Sequence, residues 1–248
     1  MYSNRTILGL IPARGSSKGL PRKNIKLLLG KPLIAWTIER AKECKYFDRV
    51  IVTTDDEEIA RIAKEYRAEV PFLRPNILAS DVSPAIDTIL HALNYLRANG
   101  ETFDYIAWLE PTSPLRDRHD FNSGIEVLIN NETRADSLVS VGKIALEHPF
   151  MVKKIDKNGY MSPFCVTDEK LVGRRQDLPP AYFPYGVLYL SKVHTLNKDE
   201  VFYQKRAISY PIQRWQNFEI DDEIDFFTVE TIMRKYWDKF SSEVSYCG

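Results

Sequence analysis

The hydrophobic pattern of the first 142 residues alternates between two periods. Short apolar, β-branched runs read as strands at Ile7–Ile11, Arg49–Thr53, Tyr105–Leu109 and Ser137–Val141. Between them, apolar residues recur at helical spacing. Pro32 opens a helix to about Cys44, with Ile34, Ile38 and Ala41 on one face, because proline's fixed φ suits a first turn. Asp55 and Asp56 begin a second helix through Tyr66, in which Ile59 and Ala63 share a face. Pro84–Arg97 carries Ile86, Ile89, Leu90 and Leu93 on one stripe, and Phe121–Ile129 reads as a fourth helix. Val70–Leu73 is a candidate for one more short strand.

Alternating strands and helices predict an α/β fold, a mostly parallel sheet with helices on both faces. Right-handed crossovers then place the loops that follow the strands along one edge. Those loops hold Arg14–Asn24, Thr54–Asp55 and Glu110–Arg116, so they define a single site. Between Lys143 and Pro184 the helical period is lost and charged, proline and glycine residues intervene. This stretch reads as an excursion from the sheet, either a lid or an oligomerisation arm. Strand character returns at Val187–Leu190 and Ala207–Tyr210. A last helix from about Glu223 to Trp237 carries Phe226, Val229, Met233 and Tyr236 on one face. The expected organisation is one domain over 1–248 with an arm at 143–185.

Composition narrows the function classes. Lysine and arginine number 34 against 34 aspartates and glutamates, and 44% of residues are hydrophobic. Balanced charge argues against a general nucleic-acid or membrane-surface binder. No apolar run approaches the roughly 18 residues of a membrane helix, and residues 1–12 lack signal-peptide features. The cysteines Cys44, Cys165 and Cys247 are far apart and never in C-x-x-C spacing, which suits a reduced, cytoplasmic compartment without structural zinc.

The chemistry concentrates in Ile11–Asn24, a segment with Gly15 and Gly19, Ser16 and Ser17, and the cations Arg14, Lys18, Arg22 and Lys23. Glycines let successive N–H groups point at one anion, and the cations add full charge. A loop of this kind after a first strand suits a polyphosphate. It is neither a P-loop, since Lys18 precedes Gly19, nor a G-x-G-x-x-G dinucleotide loop. Further along come Leu73-Arg74-Pro75 with Leu78-Ala79-Ser80-Asp81, then Glu110-Pro111-Thr112-Ser113-Pro114-Leu115-Arg116, then Glu219-Ile220-Asp221-Asp222-Glu223-Ile224-Asp225. Glu219 and Asp221 share one face of an extended segment, and hard oxygen ligands of this kind suit Mg²⁺ completed by substrate phosphates. Asp222 and Glu223 fit the simpler role of an acidic first helical turn, and Asp225 is open to either.

On these motifs the chain resembles the acylneuraminate cytidylyltransferases, the CMP-sialic acid synthetase family. The match takes in Ala13-Arg14, Ser17 to Pro21, Lys23-Asn24, residues 73–81, residues 111–116, Arg175-Gln176-Asp177-Leu178-Pro179 and the late carboxylate pair. The resemblance implies a Rossmann-like nucleotidyltransferase fold, and condensation of CTP with a nine-carbon 2-keto acid sugar to give a CMP-sugar and pyrophosphate. It implies Mg²⁺ on Glu219 and Asp221, and a homodimer in which the arm reaches onto the partner. Arg14, Lys18 and Lys23 would be catalytic. Ala13, Arg14, Ser17, Lys18, Asn24, Arg74 and Ser80 would hold the nucleotide. Glu110, Thr112, Arg175 and Tyr185 would face the sugar, Arg175 against its carboxylate.

The chain departs from the family mainly on the sugar side. Glu110 stands where glutamine is frequent, Tyr185 where asparagine is, Phe183 where some members have arginine, and Met151 where a lysine often follows the H-P pair. Glu219 replaces a frequent aspartate. The nucleotide side is matched almost completely, so CTP and a nonulosonic acid are expected, with a legionaminic-type relative beside N-acylneuraminate among the candidates. The alternatives are a CMP-Kdo synthetase or another sugar nucleotidyltransferase and, in another class, a non-catalytic nucleotide-binding protein of the same fold.

Overall fold

The computed structural model describes residues 1–80, 82–165, 174, 177–199 and 204–240. Strand β1 (Ile7–Pro12) is the hub of the sheet. Its side chains alternate between two cores: Ile7 and Ile11 enter one cluster, Leu8 and Leu10 the other. This period of two is what a strand buried on both faces requires. A short hairpin, β2 (Leu27–Leu28) and β3 (Lys31–Pro32), leads into α1 (Leu33–Glu43). Then follow β4 (Arg49–Thr53), α2 (Glu57–Glu65), α3 (Ala85–Ala98), β5 (Tyr105–Trp108), α4 (Asp120–Ile129) and β6 (Ser137–Lys143).

A small antiparallel hairpin, β7 (Lys153–Ile155) with β8 (Met161–Pro163), occupies the stretch without periodicity. The chain returns through the long strand β9 (Tyr182–Lys192), α5 (Val193–Asp199), β10 (Ala207–Pro211) and α6 (Glu223–Lys235). Helices α1, α2 and α4 pack on one face of the sheet and α3 on the other. Helix α6 builds a third cluster with Leu20, Leu28, Trp36 and Leu115. Among the described residues, no helix is long and apolar enough to cross a membrane.

Among the described residues the main sheet has six strands in the order β10-β6-β9-β5-β1-β4. Strand β1 runs parallel to β4 and β5, and β6 parallel to β10. The expectation of a mostly parallel sheet needs one correction: β9 lies between β5 and β6 and is antiparallel to both. Strand direction leaves no trace in a run such as Val187–Leu190, which is apolar on both faces. Val70–Leu73 is not a strand. Pairing with β4 stops at a single bridge between Ile51 and Glu69, and Pro71 follows with no N–H to extend it.

Helix starts follow local chemistry. Asp56 caps α2 by accepting from the Ile59 N–H at 2.9 Å. Asp222 and Asp225 form a reciprocal capping box at the start of α6. Asp225 accepts from the backbone N–H groups of Asp221 and Asp222 at 3.0 and 3.2 Å. These bonds make Asp225 the N3 partner of the Asp222 cap.

Candidate active site

The loops at the carboxyl ends of β1 and β5 meet as the alternating pattern requires; the expected turn Thr54–Asp55 after β4 stands behind the cleft, whose second wall is the segment 74–88, and Asp221 joins them. Together they enclose a cleft of about 580 Å³. Each wall is fixed by the chain that precedes it.

The first wall is the loop after β1. Its start is held by the Gly15 N–H donating to Asp55 Oδ1 at 3.1 Å. Its end is held by Asn24, whose amide donates to the Arg14 carbonyl at 3.0 Å. Buried Leu20 anchors the middle in the α6 cluster. Gly19 is required by close approach, since a Cβ there would lie 2.3 Å from the Asp221 carbonyl oxygen. Arg14, Ser17, Lys18 and Lys23 all line the cleft. Arg22 does not. It sits in the left-handed region at φ 58° and turns to Asp56 at 2.5 Å and Glu58 at 2.5 Å. Its charge clamps the loop to α2 and is lost to the cleft. Ala13 is buried and continues the sheet, its N–H donating to Thr53 at 3.0 Å.

The second wall carries Arg74, Leu78, Ser80, Ser83, Ala85 and Thr88. The Arg74 backbone N–H donates to Thr54 at 2.7 Å. Its buried guanidinium pairs with Asp55 at 3.5 Å and donates to the Thr88 hydroxyl at 3.3 Å. Nε of Arg74 is buried without a protein partner. Burial lowers the pKa of this arginine, and the charge of Asp55 opposes that shift. A buried guanidinium that lines a cleft with a spare donor invites an acceptor from a ligand.

The third wall follows β5. Glu110 accepts from the Trp108 indole N–H at 3.0 Å. Its carboxyl is pushed up to about 7, first by burial and then by the neighbouring charge of Glu219. Arg116, fully buried, makes the turn rigid: it donates to the carbonyls of Glu110 and Gly186 at 2.7 Å each and of Val187 at 2.7 Å. Thr112 lines the cleft, and its carbonyl receives the Ile220 N–H at 2.8 Å. That bond brings in the fourth wall.

There the expected carboxylate pair is split. Asp221 lines the cleft with an exposed side chain. It pairs with Lys23 at 3.0 Å, and Lys23 also donates to the Ile220 carbonyl at 2.6 Å. Glu219 turns one oxygen inward, accepting from the Ser113 hydroxyl at 2.8 Å and from the Gly186 N–H. The β9 amide at Gly186 lies beside this carboxylate and takes it as acceptor. Among the described residues, no cluster of three or more His, Cys, Asp or Glu side chains is arranged for a metal ion.

Tyr185 lies at the start of β9, its ring edge-on to Phe183 at 5.2 Å, and is absent from the cleft lining. Arg175 lies outside the described residues. Trp108, Ser83 and Thr88 also line the cleft and are not among the expected site residues. Trp108 reads as strand core and Thr88 as part of a helix; only their nearness to the ends of β5 and α3 could have flagged them.

Cationic at one end, donor-rich at the other and floored by carboxyls, the cleft suits a phosphorylated ligand with a polar heterocycle. Over residues 8–247 the chain matches the family described as Cytidylyltransferase. It is 33% identical over 229 residues to the CMP-N,N'-diacetyllegionaminic acid synthase of Legionella pneumophila, covering 92% of this chain and 96% of that one. It is 30% identical to a pseudaminic acid cytidylyltransferase of Campylobacter jejuni, covering 86% and 90% of the two chains. Among solved structures, CMP:2-keto-3-deoxy-manno-octonic acid synthetase complexed with CTP shares the fold. Its TM-score is 0.68 at 16% identity, covering 93% of this chain and 99% of that one. By the match along nearly its whole length and by these relatives, the chain belongs to the cytidylyltransferases.

Proposed function

We propose that the protein transfers the cytidylyl group of CTP to the anomeric hydroxyl of a nonulosonic acid, releasing pyrophosphate. The observation that carries this reading is the convergence of Arg14, Lys18 and Lys23 on one cleft whose far wall holds Arg74 with an unused donor. Triphosphate would lie along the first wall, with cytosine toward Arg74, Asn24 and Ser80 and with Ala13 bounding the base side. A guanidinium only donates. Cytosine offers adjacent acceptors at O2 and N3, whereas uracil carries an N–H at N3. An arginine that donates to both O2 and N3 would therefore favour cytosine.

In the reaction the sugar hydroxyl oxygen bonds to the α-phosphorus, the bond from that phosphorus to the bridging oxygen breaks so that pyrophosphate leaves, and the hydroxyl proton passes to solvent water. Such a step gains most from positioning and charge neutralisation. Arg14, Lys18 and Lys23 would stabilise charge building on the departing pyrophosphate. The donor set fits Mg²⁺: Asp221 offers an exposed carboxylate at the cleft, Glu219 stands two residues away, and this ion binds by one or two carboxylates plus phosphates. When bound, it would offset phosphate charge there.

Glu110 and Thr112 would meet the sugar, with Arg175 on its carboxylate and Tyr185 alongside. Glu110 suits an amide or amine substituent, which it can accept from. The relatives named for diacetyllegionaminic and pseudaminic acid support this acid class. The arm supports a homodimer. Ile155, Tyr160 and Met161 on and between β7 and β8 are 69%, 74% and 72% exposed, an apolar surface that a second copy would cover.

The test is pyrophosphate release from CTP with Mg²⁺ across N-acetylneuraminic, legionaminic and pseudaminic acids, KDN and Kdo. Turnover of a nine-carbon acid is expected. Turnover of Kdo alone would move the assignment to the eight-carbon acid. CTP binding without release from any acid would sink the transferase reading.

A further inference from the structure

The turn after β4, Thr54-Asp55-Asp56, hooks three parts of the site at once. The Thr54 carbonyl receives the Arg74 N–H at 2.7 Å. Asp56 holds Arg22 at 2.5 Å, fixing the far end of the loop after β1. Asp55 stands between: Oδ1 accepts the Gly15 N–H at 3.1 Å and faces Arg74 Nη2 at 3.5 Å. A single carboxylate oxygen therefore ties the start of the phosphate loop to the arginine on the base wall. Asp55 itself is absent from the cleft lining. The charge of Arg14 and burial both work against the charge of Arg74, and Asp55 offsets them.

We propose that Asp55 is a positioning residue for nucleotide selection, coupling the triphosphate loop to the base-facing arginine through a carboxylate that touches neither base nor phosphate. The inference rests on the reading that this cleft binds CTP. Without Asp55, Arg74 keeps only the Thr88 hydroxyl as a side-chain anchor among the contacts described. The guanidinium can then turn away from the O2 and N3 acceptors on which a preference for cytosine depends.

Calorimetric titration of the full chain with CTP and with UTP tests this without a sugar. Asp55→Asn keeps the shape and removes the charge. Its CTP affinity is expected to fall about tenfold, and its preference for CTP over UTP to fall by a similar factor, the scale of a charge-assisted hydrogen bond. Asp55→Glu keeps the charge on a longer stem and should lose part of the preference. Thr88→Val, which removes the other anchor of Arg74, should lower the same ratio. Added to Arg74→Lys, Asp55→Asn should cause no further loss of preference, since both act through one guanidinium. Equal loss of CTP and UTP affinity, additive loss in the double variant, or a folded Asp55 variant with its preference intact would each overturn the proposal. Wild-type protein that binds CTP no better than UTP would instead overturn the functional reading beneath it.

Discussion

At the scale of single residues, the site is a set of charges held in unequal surroundings. The Glu110 carboxyl, raised from 4.5 to about 7 chiefly by burial, holds a proton in the folded protein that the unfolded chain has already released. Stability therefore falls as pH rises through that window and levels off above it. Glu110→Gln removes this dependence. Denaturant melts should show the variant gaining on the order of 1–3 kcal/mol over wild type at neutral pH and above, with nothing gained near pH 4; parallel stability profiles would refute it. The cations at the cleft were legible in the sequence because residue type and position after a strand carry the same message. Arg22 was not. Its backbone is left-handed, and its acidic partners, Asp56 and Glu58, stand at the start of α2, far along the chain. Glu219 is expected at the metal from its spacing to Asp221 and from the resemblance; spacing does not report that one of its oxygens accepts from Ser113 and Gly186.

At the scale of elements, close approach decides which changes are tolerated. Gly19→Ala would place a methyl group 2.3 Å from the Asp221 carbonyl. Backbone must move there, so we expect a cost of about 1–3 kcal/mol together with weaker CTP binding. Gly30→Ala is the contrast: φ is +81° but the space is open, so a cost of about 1 kcal/mol should leave nucleotide binding intact. Paired melting and titration check both. Asp222→Ala strips the capping box from α6 and should cost about 1 kcal/mol, read from the denaturation midpoint.

The long helices were legible, since Ile86, Ile89 and Leu93 advertise a period that α3 obeys. The hairpins were not. Strands β2 and β3 are two residues each, and β7 and β8 are exposed throughout, so neither pair carries an alternation to read. The first half of β9, Tyr182–Tyr185, was hidden in the same way by exposed aromatics and Pro184.

For the whole molecule, the proposed dimer rests on the exposed hairpin β7–β8. Replacing Ile155 and Met161 together with aspartate should convert the proposed dimer to monomer in sedimentation velocity. Because both side chains are exposed within one chain, the variant's secondary structure should be unchanged by circular dichroism. Unchanged association would rule out the arm as the dimer contact. The antiparallel strand β9 has a different reach, into the order of synthesis. Strands β4, β1 and β5 can pair as soon as the first half of the chain has emerged, whereas β6 joins them only through β9. The sheet must therefore wait for residue 192 before its two halves become one. The same late strand supplies Gly186, the amide that seats Glu219. A nascent chain can thus own the phosphate loop long before it owns a complete cleft, whose last lining residue, Asp221, follows β9 in the sequence.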